Sequence, residues 1–262
     1  MSLSGKTPKE TYIDLLQMDN SNNGITTSSA VIKDGAGRPS CVAISDDQIS
    51  IVPQNDDTTS TLRVRTASGS VVLEVDTTNE LVKASGNYVN TQYAQFNIGT
   101  TETTQFADDT HQAIPFECAN FSVSAYPPAF GTGTDPATTF TTEDTNGLRG
   151  GDIVPCLWYV QDAISIDAVV SLEGTDEPTG DVTRMHLFQY TFTSGSTSCL
   201  TEGALLAHNS DVTNAGSEQA YLTTWTVDSA AVAAGKVILA FFKSDSINSD
   251  YAVNIRIKYH LT

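Results

Sequence analysis

An all-β fold is the class this sequence predicts, and three observations predict it. Thr recurs in pairs (Thr26-Thr27, Thr58-Thr59, Thr138-Thr139, Thr223-Thr224), short segments alternate apolar with polar residues, and Gly, Asp and Asn punctuate them at turn spacing. Branched side chains suit a half-exposed pleated surface better than a helix. At 262 residues the chain exceeds the commonest domain size, so two modules are expected. Their order is a small N-terminal β meander with a short helix (1–92), a linker (93–112), and a C-terminal jelly-roll-like β-sandwich (113–262).

The first element is a helix over 8–18. Thr7-Pro8-Lys9-Glu10 matches a capping box with Pro at the first helical position, and Tyr12, Ile13 and Leu16 then share one face. So short a helix is unstable alone, and its apolar stripe needs a partner. Tyr12, Ile13 and Leu16 are therefore the expected attachment residues. From 30 to 84 short β segments alternate with turns: 31–33, the turn Asp34-Gly35-Ala36-Gly37, then 41–45, 49–52, 61–66, the turn Ala67-Ser68-Gly69, 71–75 and 81–83. Leu62 and Val64 oppose Arg63 and Arg65, and Leu73 and Val75 flank Glu74, so each strand has one apolar and one wet face. A module this thin gains stability from threefold association or from lying on a larger surface.

Residues 84–112 are polar and weakly periodic, which makes them the linker. Beyond it, strands are expected at 114–125, 152–166, 169–172, 184–193, 221–227, 236–243 and 251–261. The last is the clearest: Val253, Ile255, Ile257 and Tyr259 alternate with Asn254, Arg256, Lys258 and His260. Residues 228–235, with Asp228 as N-cap and Gly235 as stop, read as one or two helical turns.

Charge narrows the partners. Lys+Arg number 13 against 31 Asp+Glu, a formal net charge of −18, which repels nucleic acid and anionic lipid. The longest apolar run, VILAFF at 237–242, is far below the roughly 20 residues a spanning helix takes, so membrane insertion is not expected. The chain is expected to be made in a cytoplasm and to be soluble. Cys41, Cys118, Cys156 and Cys199 form no CxxC pair and have no His at ligand spacing, so they read as free thiols rather than a metal site, and no cofactor is implied.

Motifs for catalysis are missing from the sequence. His111, His186, His208 and His260 are scattered, and no G-x-S-x-G, H-E-x-x-H or P-loop occurs, so an enzyme is not expected. Asp19-Asn20-Ser21-Asn22-Asn23-Gly24 imitates the start of a calcium loop, but Ala30 stands where the bidentate Glu would be required, which favours a turn. Glu173, Asp176, Glu177 and Asp181 gather carboxylates in one loop region and are the candidate ion-binding residues. Trp158, Tyr159, Tyr126, Tyr221 and Trp225 offer sugar-stacking platforms if exposed, though strand spacing favours core or interface.

Two regions resemble a known kind of protein. DLLQMDNSNNGI at 14–25, KDGAG at 33–37 and VDTTNELVK at 75–83 resemble N-terminal regions of virion structural proteins of tailed phages, particularly marine ones. SLEG at 171–174, RMHL at 184–187 and KYHLT at 258–262 resemble terminal domains of the same kind of protein. The resemblance implies a homo-oligomeric, often trimeric, fibre or spike on the virion surface, docked on tail or capsid proteins by its first region. A capsid decoration protein and a carbohydrate-binding module directed at host-surface glycan are the alternatives.

Overall fold

The computed structural model of the chain describes residues 16–21, 23–99, 110–117, 129–132, 139–140, 142, 150–175, 179–201, 203–216, 219–245 and 251–262. The chain divides into two compact units, Met1–Val89 and Asn90–Thr262. In the first unit the strands are β1 (Gln17–Met18), β2 (Ala30–Lys33), β3 (Pro39–Ile44), β4 (Ile49–Ile51), β5 (Leu62–Arg65), β6 (Val71–Asp76), β7 (Leu81–Ala84) and β8 (Asn87–Tyr88). They form two four-stranded antiparallel meanders, β1 to β4 and β5 to β8.

Turn chemistry sets the register of both. Asp34 Oδ1 accepts the backbone N–H of Ala36 and Arg38, both at 2.9 Å, while the Gly37 N–H donates to the Asp34 carbonyl. Gly37 takes φ +82 and Gly69 φ +93, the left-handed conformation that closes each hairpin. Leu62 then faces Val75 and Val64 faces Leu73, while Arg63 pairs with Glu74 on the other side.

The second unit is a β-sandwich. Its strands are β9 (Thr91–Gly99), β10 (Thr110–Ile114), β11 (Ala129–Thr132), β12 (Thr139–Phe140), β13 (Trp158–Tyr159), β14 (Ile164–Thr175), β15 (Val182–Thr191), β16 (Gly203–His208), β17 (Val212–Thr213), β18 (Gln219–Thr224), β19 (Thr226–Val227), β20 (Ala231–Val232), β21 (Lys236–Ser244) and β22 (Tyr251–Leu261). One sheet runs β18-β14-β22-β9, the other β11-β10-β21-β15-β16-β12, with the short strands added alongside. Consecutive long strands change sheets at β9 to β10, β14 to β15, β16 to β18 and β21 to β22, the crossing connectivity of a jelly-roll-like sandwich.

The main core lies between the sheets: Phe96, Ile98, Val169, Val253, Ile255 and Ile257 from one meet Met185, Leu187, Ile238, Ala240 and Phe242 from the other. A second core covers the opposite face of the larger sheet, where Phe188, Tyr190, Val237, Leu239 and Phe241 pack on Ile153, Cys156 and Leu200. Ile153 and Cys156 belong to a 3-10 helix, Gly150–Cys156. This double burial explains VILAFF: β21 is apolar at successive positions because both its faces are covered.

Several sequence expectations need correction. Gln17 and Met18, expected as the end of the 8–18 helix, are extended and pair with Lys33 and Ile32. The edge of β2 supplies backbone partners that a marginal short helix does not have. Residues 8–15, with Tyr12 and Ile13, lie outside the described residues. The 93–112 linker is sheet at both ends, since β9 pairs along β22 from Thr91 to Gly99 and β10 pairs with β21. Residues 152–156 are 3-10 helix rather than strand. The 228–235 helical turns are instead a bend and the strand β20, which pairs with Ile164 and Ser165; Asp228 bonds His208 Nδ1 rather than capping a helix. No strand is expected between 193 and 221, yet Gly203–His208 forms β16, which lies between β15 and β12.

Candidate functional site

Two polar clusters stand out in the second unit. The first lies where β14 and β21 end and β15 and β22 begin. A bulge between Ile166 and Ala168 shifts the phase of β14, so Val169, Ser171 and Glu173 all point inward. Glu173 is 3% exposed. Its Oε1 accepts from Ser171 Oγ (3.3 Å) and Thr223 Oγ1 (3.1 Å), and its Oε2 from Thr183 Oγ1 (2.8 Å). Ser171 Oγ in turn accepts the Trp225 indole N–H at 2.9 Å. Burial pushes the Glu173 carboxyl above the usual range, against the pull of the three hydroxyls.

Asp181, also buried, closes the cluster by accepting from the Tyr251 and Ser244 hydroxyls. Glu173, Asp181, Thr183, Tyr221 and Tyr251 line a cavity of about 10 Å³, room for one water and for no organic substrate. Of the four candidate ion-binding residues, Glu173 and Asp181 thus share one cavity, whereas Asp176 and Glu177 lie outside the described residues. Among the described residues no three His, Cys, Asp or Glu side chains gather at metal-binding distance.

The second cluster occupies the outward face of the larger sheet. Register places His186 directly between Phe241 and His208, and Arg184 opposite Lys243. The His186 and His111 rings lie 5.6 Å apart. Arg184 grips Asp211 with two bonds of 2.7 Å, which holds that carboxyl below its ordinary range. His186 is pushed down to about 4, first by burial and then by the positive charge of His208 and Arg184. At neutral pH it is an uncharged packed side chain.

Other singled-out residues are dispersed. His260, expected on the wet face of β22, is buried and bonds Asp167 Oδ1 at 2.9 Å, because the bulge re-aims Asp167 toward it. Trp158 and Trp225 are core, Tyr159 is exposed, and Tyr126 is not among the described residues. Cys156 is buried, Cys41 and Cys199 are half-buried free thiols, and Cys118 is not among the described residues. An open depression of about 680 Å³ beside Phe192 is lined with Thr193, Ser196, Ser198 and Lys236. Leu16 is 72% exposed, with Ile25, Ile49, Val52 and Val89 also exposed in the first unit.

Sequence reading missed the inward turn of Glu173, since a bulge has no strong sequence signal. The SLEG stretch, with Ser and Glu two apart inside an apolar strand, is the trace it left. Compared with known proteins, the sequence matches no family model and no curated protein.

Proposed function

We propose that the chain is a non-enzymatic structural protein of a phage particle, a homo-oligomeric fibre, spike or decoration subunit docked through its first unit and displaying its second. The observation that carries this reading is the contrast in burial between the units. Among the described residues of the first unit, Ala30 alone is a buried hydrophobic, while Leu16, Ile25, Ile49, Val52, Val64, Val72, Val82 and Val89 are exposed. Two thin meanders with uncovered apolar side chains suit a segment that completes its core on other proteins or on sister chains. The second unit has two cores of its own and carries 6 Lys/Arg against 20 Asp/Glu over 90–262, a net −14 suited to exposure.

A carbohydrate-binding module is the second reading, favoured by the hydroxyl-lined depression beside Phe192. Mass spectrometry of purified particles, with electron microscopy of an epitope-tagged chain, separates the two. Presence at fixed positions on tail or capsid is expected. A chain that binds glycan yet is missing from particles would overturn the virion reading.

A further inference from the structure

After β15 the chain runs through a Ser- and Thr-rich stretch, FTSGSTSCLT at 192–201, before β16 begins. Hydrogen bonds fix this loop along its length. The Ser196 N–H donates to the Thr193 carbonyl at 3.1 Å, Gly195 closes that turn at φ +76, and the Ser198 N–H donates to Ser196 Oγ at 3.1 Å. Further on, the Leu200 N–H donates to Thr142 Oγ1 and the Thr142 N–H to the Leu200 carbonyl, both at 2.8 Å. The loop is thus a preformed wall, and with the first residue of β21 it bounds the open depression of about 680 Å³, a size common for small-ligand sites.

The lining of this hollow departs from the chemistry of the chain. Gly235, at φ +82, turns the backbone into β21 and sets Lys236 in the wall, where its Nζ donates to Thr191 Oγ1 at 2.7 Å. Among the described residues that neutral hydroxyl is its one partner, whereas Lys33, Arg38, Arg63 and Arg184 each hold a carboxylate. None of the lining residues is acidic, in a chain with 31 Asp+Glu against 13 Lys+Arg. The hydroxyls of Thr193, Ser198 and Thr201 also line the hollow and bond no described group, and Phe192 beside them is 37% exposed.

We propose that this hollow binds a saccharide carrying a carboxylate, of the uronic or sialic acid type. Such a ligand belongs to the carbohydrate reading above, on which the proposal rests. An ammonium with one hydroxyl partner and no carboxylate of its own keeps N–H donors for an acid on the ligand, and a charge-assisted bond there is stronger than a neutral one. Side-chain hydroxyls both donate and accept, which matches the adjacent hydroxyls of a sugar ring, and an aromatic ring offers an apolar surface to the C–H face of that ring. The net charge of −18 decides against a densely charged polymer, which the rest of the chain repels, and leaves a single carboxylate met at short range.

Isothermal titration calorimetry on the full chain at low ionic strength compares oligogalacturonate, oligomannuronate and sialyllactose with their neutral counterparts, galactose and mannose oligosaccharides and lactose, and with sodium sulfate. An acidic probe is expected to bind, while its neutral counterpart on the wild type and the acidic probe on K236Q each lose about tenfold in affinity. K236R, which keeps the charge, should retain binding, and F192A should weaken it. Thermal melting is the folding control, and the comparison of acidic with neutral probes on the wild type needs no variant. Equal affinity for both, or undiminished binding by a folded K236Q, would overturn the acidic specificity and leave the carbohydrate reading standing. Sulfate bound as tightly as the saccharide would make the hollow a bare anion site and overturn the proposal. No saccharide bound at all would overturn both and leave the virion reading untouched.

Discussion

His186 shows how one side chain couples this fold to pH. Its ring is packed against Phe188 and His111, and burial with nearby positive charge lowers its proton affinity to about 4 from 6.5. The folded state therefore binds fewer protons than the unfolded chain between those values, and stability falls as pH drops through the window. A shift of that size corresponds to about 3 kcal/mol at the acid end. Glu173 works in the opposite sense: its carboxyl is raised in the fold, so its contribution is present below the unfolded value and is lost as pH rises through the folded one. H186F isolates the histidine. Urea unfolding at pH 7 and at pH 4.5 should give a difference about 2–3 kcal/mol smaller in the variant than in the wild type. Equal differences would show that the buried imidazole does not carry the acid sensitivity.

Strands were legible in the sequence where one face is wet, and less so where both faces are covered or the partner is distant. The alternation of β22 was visible because Val253, Ile255 and Ile257 face the core while Arg256 does not. It fails at His260, where the bulge in β14 changes the pairing, and a bulge is fixed by the partner strand rather than by the residues it re-aims. β9 was hidden for a similar reason. TQYAQFNIG mixes polar and aromatic residues, and only pairing with β22, more than 150 residues away, makes Ala94, Phe96 and Ile98 core. The helix expected over 8–18 shows the converse, a strong local signal whose last residues, Gln17 and Met18, are claimed by strand pairing with β2. β9 gives the element-scale prediction. A fragment of residues 90–262 should melt cooperatively, whereas one of 100–262 loses three buried side chains and bares the edge of β22, so it should aggregate. Cooperative melting of the shorter fragment by calorimetry would mean that β9 is dispensable.

At the scale of the molecule, the two units differ in what they can do alone. The second unit buries Phe188, Phe241, Phe242 and Tyr251 completely, and its two cores share the larger sheet, so it has the means to be stable by itself. The first unit has strand pairing and turns but almost no interior among its described residues. Hydrogen-bonded meanders without a covered face are marginal in water, so the apolar side chains of the first unit are where outside contacts gain most. Leu16 is uncovered just ahead of β1, and Tyr12 and Ile13 precede it in the sequence. Burying three such side chains on a partner is worth on the order of 5 kcal/mol by area before ordering costs, and an oligomer multiplies that by engaging several copies at once. I13D/L16D should therefore leave the melting of the second unit unchanged yet remove the chain from particles assembled in its presence. Quantitative mass spectrometry of purified particles reads the result, with the melting curve as control. Incorporation at the wild-type level would mean that docking runs through the exposed faces of the meanders rather than through the segment that leads into them.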